Sequence, residues 1–231
     1  MMDAGTRRPS GRRRRRIRGD DECQHDRRAG GTSARPRPRP EDPARDRGAP
    51  GAGKSTIAEA LAGLDPEHHA LVPLDGFHLA DQALIGLGLL DRKGAPETFD
   101  AHGYAALLAR LAGDPDHTVY APAFERGLEQ PLANALPVAP ASCLLITEGN
   151  YLLLDAPGWR DARSHLDQVW FVDVEPGLRR QRLVARHIRF GKTPAAAEDW
   201  VRRVDEPNAA RVAATRDRAD RILDLSGWRV G

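Results

Sequence analysis

A stretch of nine residues, GAPGAGKST at positions 48–56, has the residue types and the spacing of a phosphate-binding loop. The pattern G-x-x-x-x-G-K-[ST] surrounds a phosphate with backbone N–H groups and adds a lysine for its outer oxygens and a hydroxyl for Mg²⁺. We therefore expect Lys54 to stabilise charge on the transferred group and Ser55 to hold Mg²⁺. The predicted nucleotide-binding residues of the loop are Gly48, Gly51, Ala52, Gly53, Lys54, Ser55 and Thr56.

Two carboxylates follow apolar stretches of the chain. Asp75 comes after ALVPL at 70–74, and Glu148 comes after CLLIT at 143–147. A carboxylate at the end of a strand can accept the proton of an attacking hydroxyl or bind Mg²⁺. We expect Asp75 to act as the base near the metal and Glu148 to support the metal, although each residue alone is also typical of an ordinary turn.

A basic segment near the end of the chain provides the remaining charge. Arg182, Arg186, Arg189 and Lys192 are spaced so that they share one face of a helix and the loop after it. Such a face is most often simply solvated. The sharper interpretation is a cationic lid that closes over transferring phosphates, with Arg186 in the reaction and Arg189 and Lys192 on the nucleotide.

The surrounding sequence predicts alternating strands and helices. Buried strands are expected at 70–74, 143–147, 168–174 and 220–225, and helices at 55–64, 100–113, 175–191 and 193–219, where Pro207 is the candidate point for a break. Near-continuous apolar strands alternating with helices predict a mostly parallel sheet with helices on both faces. Ligands bind beyond the carboxyl ends of such strands, which is where both carboxylates and the loop belong.

Several blocks of the sequence together resemble the phosphoribulokinase/uridine kinase family of P-loop kinases. They are GAPGAGKST, LVPLDGFHLAD, RKGAPETFD, YAPAFERGLEQP, LLITEGNYLLLD, VWFVDV and RHIRFGKTPAAAEDWVRRVDEPNA. The similarity covers about residues 48–225 and is closest to the bacterial branch near the uridine, pantothenate and fructose kinases. It implies an α/β P-loop NTPase-like three-layer sandwich with a helical lid, occupying 48–231.

The resemblance also implies an activity and a set of roles. It implies transfer of the γ-phosphoryl group of ATP to a hydroxyl of a small metabolite, with Mg²⁺ as cofactor. Asp75 matches the catalytic base of the family and Glu148 its Walker-B-like carboxylate, and both are expected near the metal. The residues that fall where the family contacts the acceptor are Phe99, Tyr104, Phe124 and Arg126.

The sequence before the loop does not fit this resemblance. The family places a short apolar strand there, whereas this chain has EDPARDR at 41–47. Proline and charge are poorly suited to a central strand, so the first strand is expected to be missing. Either residues 1–47 come from a shifted reading frame or start site, which we favour, or the chain is genuine and the kinase is impaired.

Charge separates the chain into two segments. Residues 1–47 contain fifteen Arg and eight acidic residues, a net charge of +7, and are expected to be disordered, while the remainder has twenty basic and twenty-five acidic residues. A net acidic folded part makes nucleic-acid binding an improbable function, and no apolar run is long enough for a membrane span. With no secretory signal or transit peptide evident, the expected location is the cytoplasm.

Other functions and properties stay open at this level. A GTP-dependent switch is the main alternative, but the chain has no N-K-x-D motif for reading guanine. The acceptor could be a nucleoside, a sugar or a pantothenate-like acid. The sequence also leaves open whether the chain forms a homodimer.

Overall fold

A computed structural model describes residues 53–225 of the 231-residue chain. The prediction of disorder for 1–47 and the roles assigned to Gly48, Gly51 and Ala52 lie outside the described residues. They stay predictions.

Four short strands form two parallel pairs. Strand β1 (His69–Leu71) pairs with β4 (Leu144–Ile146), and β5 (Trp170–Asp173) pairs with β6 (Arg221–Asp224). Strands β4, β5 and β6 lie within the apolar segments that the sequence predicted as strands, whereas β1 begins one residue before the predicted segment 70–74 and ends at Leu71. The parallel arrangement follows because each strand is followed by a helical connection that returns the chain to the same end of the sheet.

An antiparallel hairpin was not predicted from the sequence. Strand β2 (Val119–Glu125) pairs with β3 (Gln130–Val138), and their register shifts between Ala121 and Ala123. The turn closes at Glu129, which has a positive φ of 53°. A bulge bends its strand and redirects nearby side chains, and in this hairpin the bulged segment packs against Gly76, the residue after Asp75.

Seven α-helices of the described chain surround the strands. They are α1 (Lys54–Leu64), α2 (Asp81–Leu87), α3 (Ala101–Gly113), α4 (Trp159–Ser164), α5 (Pro176–Arg189), α6 (Pro194–Trp200) and α7 (Glu206–Ala213). A π-helical turn, Val201–Asp205, joins α6 to α7, so the chain stays helical up to Pro207, which lies in the first turn of α7. Proline lacks the N–H that would continue the regular α-helical hydrogen bonds, and the wider π-helical turn lies directly before it. Among residues 53–225, no helix is long and apolar enough to cross a membrane.

The core lies between α3, α4 and the strands. Tyr104, Leu108 and Leu111 project from one face of α3 and are almost completely buried, together with Val72 and Leu145 from the parallel strands. This spacing of i, i+4 and i+7 gives α3 a single apolar stripe. The aromatic side chains of this core continue up to the ends of the strands, where the candidate site lies.

The parallel sheet is interrupted in the described part of the chain. Strand β4 pairs only with β1 and strand β5 only with β6, and a cleft lined by Ile57, Leu145 and Val172 lies between the two pairs. This is the position where the first strand was predicted to be missing. The predicted α/β class with mostly parallel strands is confirmed.

Candidate active site

The start of α1 places two polar side chains at one end of the parallel strands. Gly53 has a φ of 84°, a left-handed conformation that glycine adopts without strain, and α1 begins at the next residue. The Ile57 N–H donates to the Gly53 carbonyl over 3.2 Å, which closes the first helical turn. Lys54 and Ser55 therefore lie at a helix N-terminus, where backbone N–H groups and the helix dipole favour an anion.

Asp75 is held in place by close backbone packing. It lies in a 3₁₀ turn, Leu74–Phe77, that directly follows the β1 segment. A Cβ at Gly76 would come within 2.4 Å of the Pro122 carbonyl oxygen in β2, so only glycine fits between the turn and the hairpin. The Leu74 N–H donates to the Glu148 carbonyl over 2.9 Å. The ends of the first and second predicted strands thus bring the two carboxylates together.

Glu148 is half-buried beside the N-terminus of α1. The Ser55 hydroxyl donates to Oε1 of Glu148 over 3.2 Å. Burial, and then the charge of Asp75, raise the pKa of Glu148 above its ordinary value, while Lys54 and the Ser55 hydrogen bond act in the opposite direction. A buried carboxylate beside a second one is costly to ionise, so this position favours a nearby cation.

Asp75 has one oxygen engaged and one available. Arg126 donates from Nη2 to Oδ2 of Asp75 over 3.2 Å. Oδ1 of Asp75 has no hydrogen-bond partner in residues 53–225, and the side chain is 29% exposed. The carboxylate is therefore oriented by Arg126 and can still accept a proton from a ligand.

Three aromatic rings lie beside Asp75 and Arg126. The His78 ring is 4.0 Å from the Phe99 ring and 4.8 Å from the Phe124 ring, measured between centroids. Nδ1 of His78 lies 2.8 Å from the Asp75 backbone carbonyl, and burial is the main cause that lowers the pKa of His78. Arg126 and Lys93 both approach the Phe124 ring, at 6.0 and 5.6 Å from its centroid. Phe99, Phe124 and Arg126 are thus together, as the resemblance implied.

The end of α5 brings two of the predicted lid residues to the cavity. Arg186 and Lys192 both line the cavity. Burial, and next the charge of Arg126, lower the pKa of Arg186 from its ordinary value. Lys192 lies 4.5 Å from the centroid of Trp200 in α6. This contact ties the loop after α5 to α6 and places the ammonium at the edge of the cavity.

These side chains line one cavity of about 710 Å³. Such a volume is ordinary for a small-molecule site. The predicted site residues that line it are Lys54, Ser55, Asp75, Phe99, Phe124, Arg126, Glu148, Arg186 and Lys192. The structure therefore gathers most of the described candidates around one space, open to both the α1 N-terminus and the lid.

Three predicted residues lie elsewhere. Tyr104 has no exposed surface, and its hydroxyl lies 2.7 Å from the Thr147 hydroxyl, so a direct contact between Tyr104 and a ligand in the cavity is excluded. It packs against Phe77 and supports the turn that carries Asp75. Thr56 lies in α1 and Arg189 in the last turn of α5, and neither is among the described residues that line the cavity.

Sequence reasoning missed several residues of the cavity. Lys93 donates to Oδ1 of Asp81 over 2.6 Å and to the Glu129 carbonyl, so it ties α2 to the hairpin turn. His187 pairs with Asp205 over 2.8 Å and joins α5 to the π-helical turn. The scarcity of lysine in this chain was the one signal for Lys93, whereas His187 and Asp205 had no distinguishing pattern.

The donor set is suited to Mg²⁺. Ser55, Asp75 and Glu148 offer one hydroxyl and two carboxylates to the same cavity, and Mg²⁺ prefers hard oxygen ligands. Among residues 53–225, no group of three or more His, Cys, Asp or Glu could hold a metal by itself. Mg²⁺ in nucleotide sites is bound by one or two carboxylates together with phosphate oxygens. The side chains therefore fit a magnesium ion that arrives with a nucleotide.

The site has the features of a P-loop kinase. They are a helix N-terminus with a lysine and a hydroxyl, two carboxylates at strand ends, and basic residues at the end of α5. Known proteins are similar to this chain in sequence. A candidate uridine kinase from Schizosaccharomyces pombe is 34% identical over 68% of this chain and 71% of its own length. The ATP-dependent kinase-like protein notR' from Aspergillus versicolor is 35% identical over 62% of this chain and 88% of its own.

A solved structure is similar over most of the fold. It is a candidate fructose transport system kinase from Silicibacter sp. TM1040, with a TM-score of 0.67 and 38% identity over 79% of this chain and 93% of that one. No family model matches the chain. The chain belongs to the P-loop kinases of the phosphoribulokinase/uridine kinase type, as its sequence blocks implied. Kinases of this family use ATP.

Proposed function

We propose that this protein transfers the γ-phosphoryl group of ATP to a hydroxyl of a small metabolite, with Asp75 as the base. The observation that carries the proposal is that Oδ1 of Asp75, which has no hydrogen-bond partner among residues 53–225, lies in the same cavity as Lys54 and Ser55. A base must be within reach of the proton that it removes and of the transferred group. Mg²⁺ as the metal and the cytoplasm as the setting are parts of this proposal.

The reaction breaks one bond to phosphorus and forms another. The acceptor O–H proton passes to Oδ1 of Asp75, the acceptor oxygen bonds to the γ-phosphorus, and ADP leaves with the former bridging oxygen. Lys54 and Arg186 stabilise the negative charge on the transferred group, in positions fixed by α1 and α5. Mg²⁺, which Ser55, Asp75 and Glu148 would hold, would neutralise the phosphate oxygens when bound. Arg126 keeps the carboxylate of Asp75 oriented.

The names of the relatives suggest acceptors to try, because a uridine kinase and a fructose transport system kinase both act on hydroxyls. We infer that the acceptor is a nucleoside, a sugar or a pantothenate-like acid. No feature of the described residues favours a GTP-dependent switch over a kinase.

The test is ADP release from Mg-ATP over a panel of hydroxyl compounds, with product confirmed by mass. Asp75→Asn should lower transfer by about 10²–10⁴-fold and leave the affinity for Mg-ATP unchanged. The matched control is Asp116→Asn, at an exposed residue after α3. Full transfer in the Asp75 variant would remove the proposed base.

A further inference from the structure

One contact joins the end of α5 to the π-helical turn, between His187 and Asp205. Within the proposed kinase site, on which this step rests, we infer that these two residues form a positioning pair. Their hydrogen bond holds the end of α5 so that Arg186 and Lys192 are already in place when the nucleotide binds. The pair acts through these two cations and takes no part in the bond changes. Four observations support this role.

The hydrogen bond between the two side chains is shielded and has a defined direction. Nε2 of His187 lies 2.8 Å from Oδ2 of Asp205, and the side chains are only 19% and 24% exposed. An ionised carboxylate can only accept, so Nε2 carries the proton and donates. The His187 ring also lies edge-on to Trp200 in α6, with centroids 6.4 Å apart. A hydrogen bond to a charged group and a ring contact together restrict the His187 side chain to one orientation.

His187 is linked to Lys192 through both backbone and side-chain contacts. The Lys192 N–H donates to the His187 carbonyl over 3.0 Å. Trp200, which contacts the His187 ring, also contacts the ammonium of Lys192, which lies 4.5 Å from the centroid of the Trp200 ring. Arg186 directly precedes His187 in α5, and all four residues line the cavity. A displacement of His187 would therefore displace both cations.

The π-helical turn directs Asp205 toward α5. The turn is closed by the Glu206 N–H, which donates to the Val201 carbonyl five residues earlier. Such a turn is wider than a turn of α-helix, so it changes which side chains face a neighbouring helix, and it is often found at functional sites. Val201 and Val204 are buried, and the next two residues, Asp205 and Glu206, both contact α5. The wider turn thus keeps the apolar side chains inside and presents two successive carboxylates to the helix that carries Arg186.

Asp205 also acts on the charge of Arg186. Burial, and next the charge of Arg126, lower the pKa of Arg186, whereas the charges of Asp75 and then Asp205 act in the opposite direction. Asp205 is therefore close enough to Arg186 to favour its charged form, while its hydrogen bond is made to His187. One carboxylate thus supports the cation through its charge and holds the neighbouring residue through its geometry.

Two variants of His187 separate the hydrogen bond from simple packing. His187→Gln keeps an N–H within reach of Asp205 but lacks the ring, whereas His187→Phe keeps a ring beside Trp200 but cannot donate. We expect His187→Phe to raise the Kd for Mg-ATP by about tenfold in titration calorimetry, and His187→Gln to stay close to the parent. A role in packing alone predicts the reverse order. If His187→Phe does not fold, as judged by its melting curve, His187→Leu takes its place in each comparison.

Steady-state kinetics test whether His187 acts through Arg186. With whichever of uridine, fructose and pantothenate is phosphorylated fastest, His187→Phe should lower kcat by about tenfold and leave KM for that compound unchanged. Added to Arg186→Gln, the same change should have little further effect on kcat, because the cation that it positions is already absent. The matched control is Arg180→Gln. Arg180 donates to Glu206 over 3.3 Å and so also joins α5 to α7, but it is 59% exposed and is not among the described residues that line the cavity.

The outcomes separate this inference from the proposed function. If His187→Gln or Arg180→Gln is impaired as much as His187→Phe, or if the effects of His187→Phe and Arg186→Gln on kcat simply multiply, the inference is overturned and the kinase proposal stands. If the parent phosphorylates no compound of the acceptor panel but binds Mg-ATP, the proposed transfer fails, and the affinities of the two His187 variants alone decide whether the pair positions the lid. If the parent does not bind Mg-ATP, both are overturned.

Discussion

The Ser55 hydroxyl donates to Oε1 of Glu148 over 3.2 Å, although the two residues are 93 positions apart in the chain. This hydrogen bond links the N-terminus of α1 to the end of β4. Both groups are candidates for holding Mg²⁺, and the pKa of Glu148 is raised mainly by burial. A cation that arrives with the nucleotide would therefore stabilise the ionised carboxylate of Glu148.

Glu148→Gln should weaken the magnesium dependence of the enzyme without unfolding it. The amide keeps the shape of the side chain but removes the charge, and loss of such a supporting group typically costs about 10–100-fold in metal affinity. The melting temperature without ligand should be unchanged or higher, because a buried charge is removed.

A magnesium titration of ADP release measures the weaker magnesium dependence. Glu59→Gln in the exposed part of α1 is the control, and an unchanged titration in the Glu148 variant would exclude Glu148 from the metal site.

Arg126→Gln should raise KM for the acceptor and leave nucleotide binding intact. Arg126 contacts Asp75 and the Phe124 ring but lies outside α1 and the lid. A charge-assisted hydrogen bond contributes about 1.5–3 kcal/mol, so an increase of roughly 10–100-fold is expected. Steady-state kinetics with the acceptor varied at saturating Mg-ATP measure it. Arg110→Gln, at an exposed position of α3, should behave as the parent. An equal loss of Mg-ATP affinity would instead place Arg126 on the nucleotide.

Two glycines should respond to alanine in opposite directions. A Cβ at Gly149 would lie 2.5 Å from Cδ2 of Leu74, whereas nothing lies within 4 Å of a Cβ at Gly63. Gly149→Ala should cost about 1–3 kcal/mol and displace Glu148, with a lower melting temperature and lower transfer. Gly63→Ala, in the last turn of α1, should stabilise by up to about 1 kcal/mol. Thermal denaturation of both variants decides this, and a stable, active Gly149 variant would show that the turn can move.

The sequence predicted these elements unequally. The four parallel strands and α1, α3 and α5 were found because each has a continuous apolar run or a helical spacing, and both signals are local. The β2–β3 hairpin was missed because prolines at 122, 131 and 137 disturb the alternation expected of strands, and its pairing is decided by contacts with the turn around Asp75.

Some residues of the candidate site could be predicted from the sequence and others could not. Lys54 could be located because it lies within the loop motif. Asp75 and Glu148 could be located because each follows an apolar strand. Tyr104 was placed in the acceptor site by resemblance, although its spacing with Leu108 and Leu111 assigns it to the buried face of α3. His78 was passed over because one histidine in a sequence has no partner until the fold brings Phe99 and Phe124 beside it.

The stability of α5 should depend on pH through its N-cap. The Glu175 carboxylate accepts from the Gly177 and Leu178 N–H groups over 2.8 and 2.6 Å, and the Gly177 hydrogen bond is the largest cause that lowers its pKa. Because the folded pKa is below the unfolded one, the stabilisation is present above the ordinary pKa near 4.5 and is lost as pH falls through the folded value. Glu175→Gln should therefore lower the melting temperature by a few degrees at pH 7, and the difference should disappear near pH 3.

Melting curves of the Glu175 variant and the parent between pH 3 and pH 8 measure this dependence. Glu67→Gln, an exposed acidic residue in the turn after α1, is the matched control and should show no such dependence. A constant difference across the range would mean that the charge of Glu175 has no part in the cap.

The parallel sheet of the described residues has a gap between β4 and β5. In residues 53–225, β4 and β5 each pair on one side only, so alternate backbone groups of both strands face the cleft between them. Residues 41–47, EDPARDR, have no aliphatic side chain larger than alanine to offer such a cleft. An apolar strand there would pair with both neighbours at once and would bury its side chains against Leu145 and Val172.

Replacing residues 41–47 with a run of valine and isoleucine should therefore raise the melting temperature, by roughly 5–10 °C, and tighten Mg-ATP binding. Tighter Mg-ATP binding is expected because the strand would fix the start of the phosphate-binding loop relative to Asp75 and Glu148. A serine- and glycine-rich replacement of equal length controls for removal of the charges and proline. If both replacements melt alike, the cleft does not accept a strand from this end of the chain. If only the apolar one gains stability and affinity, the cleft between β4 and β5 is the place where the nucleotide site is incomplete.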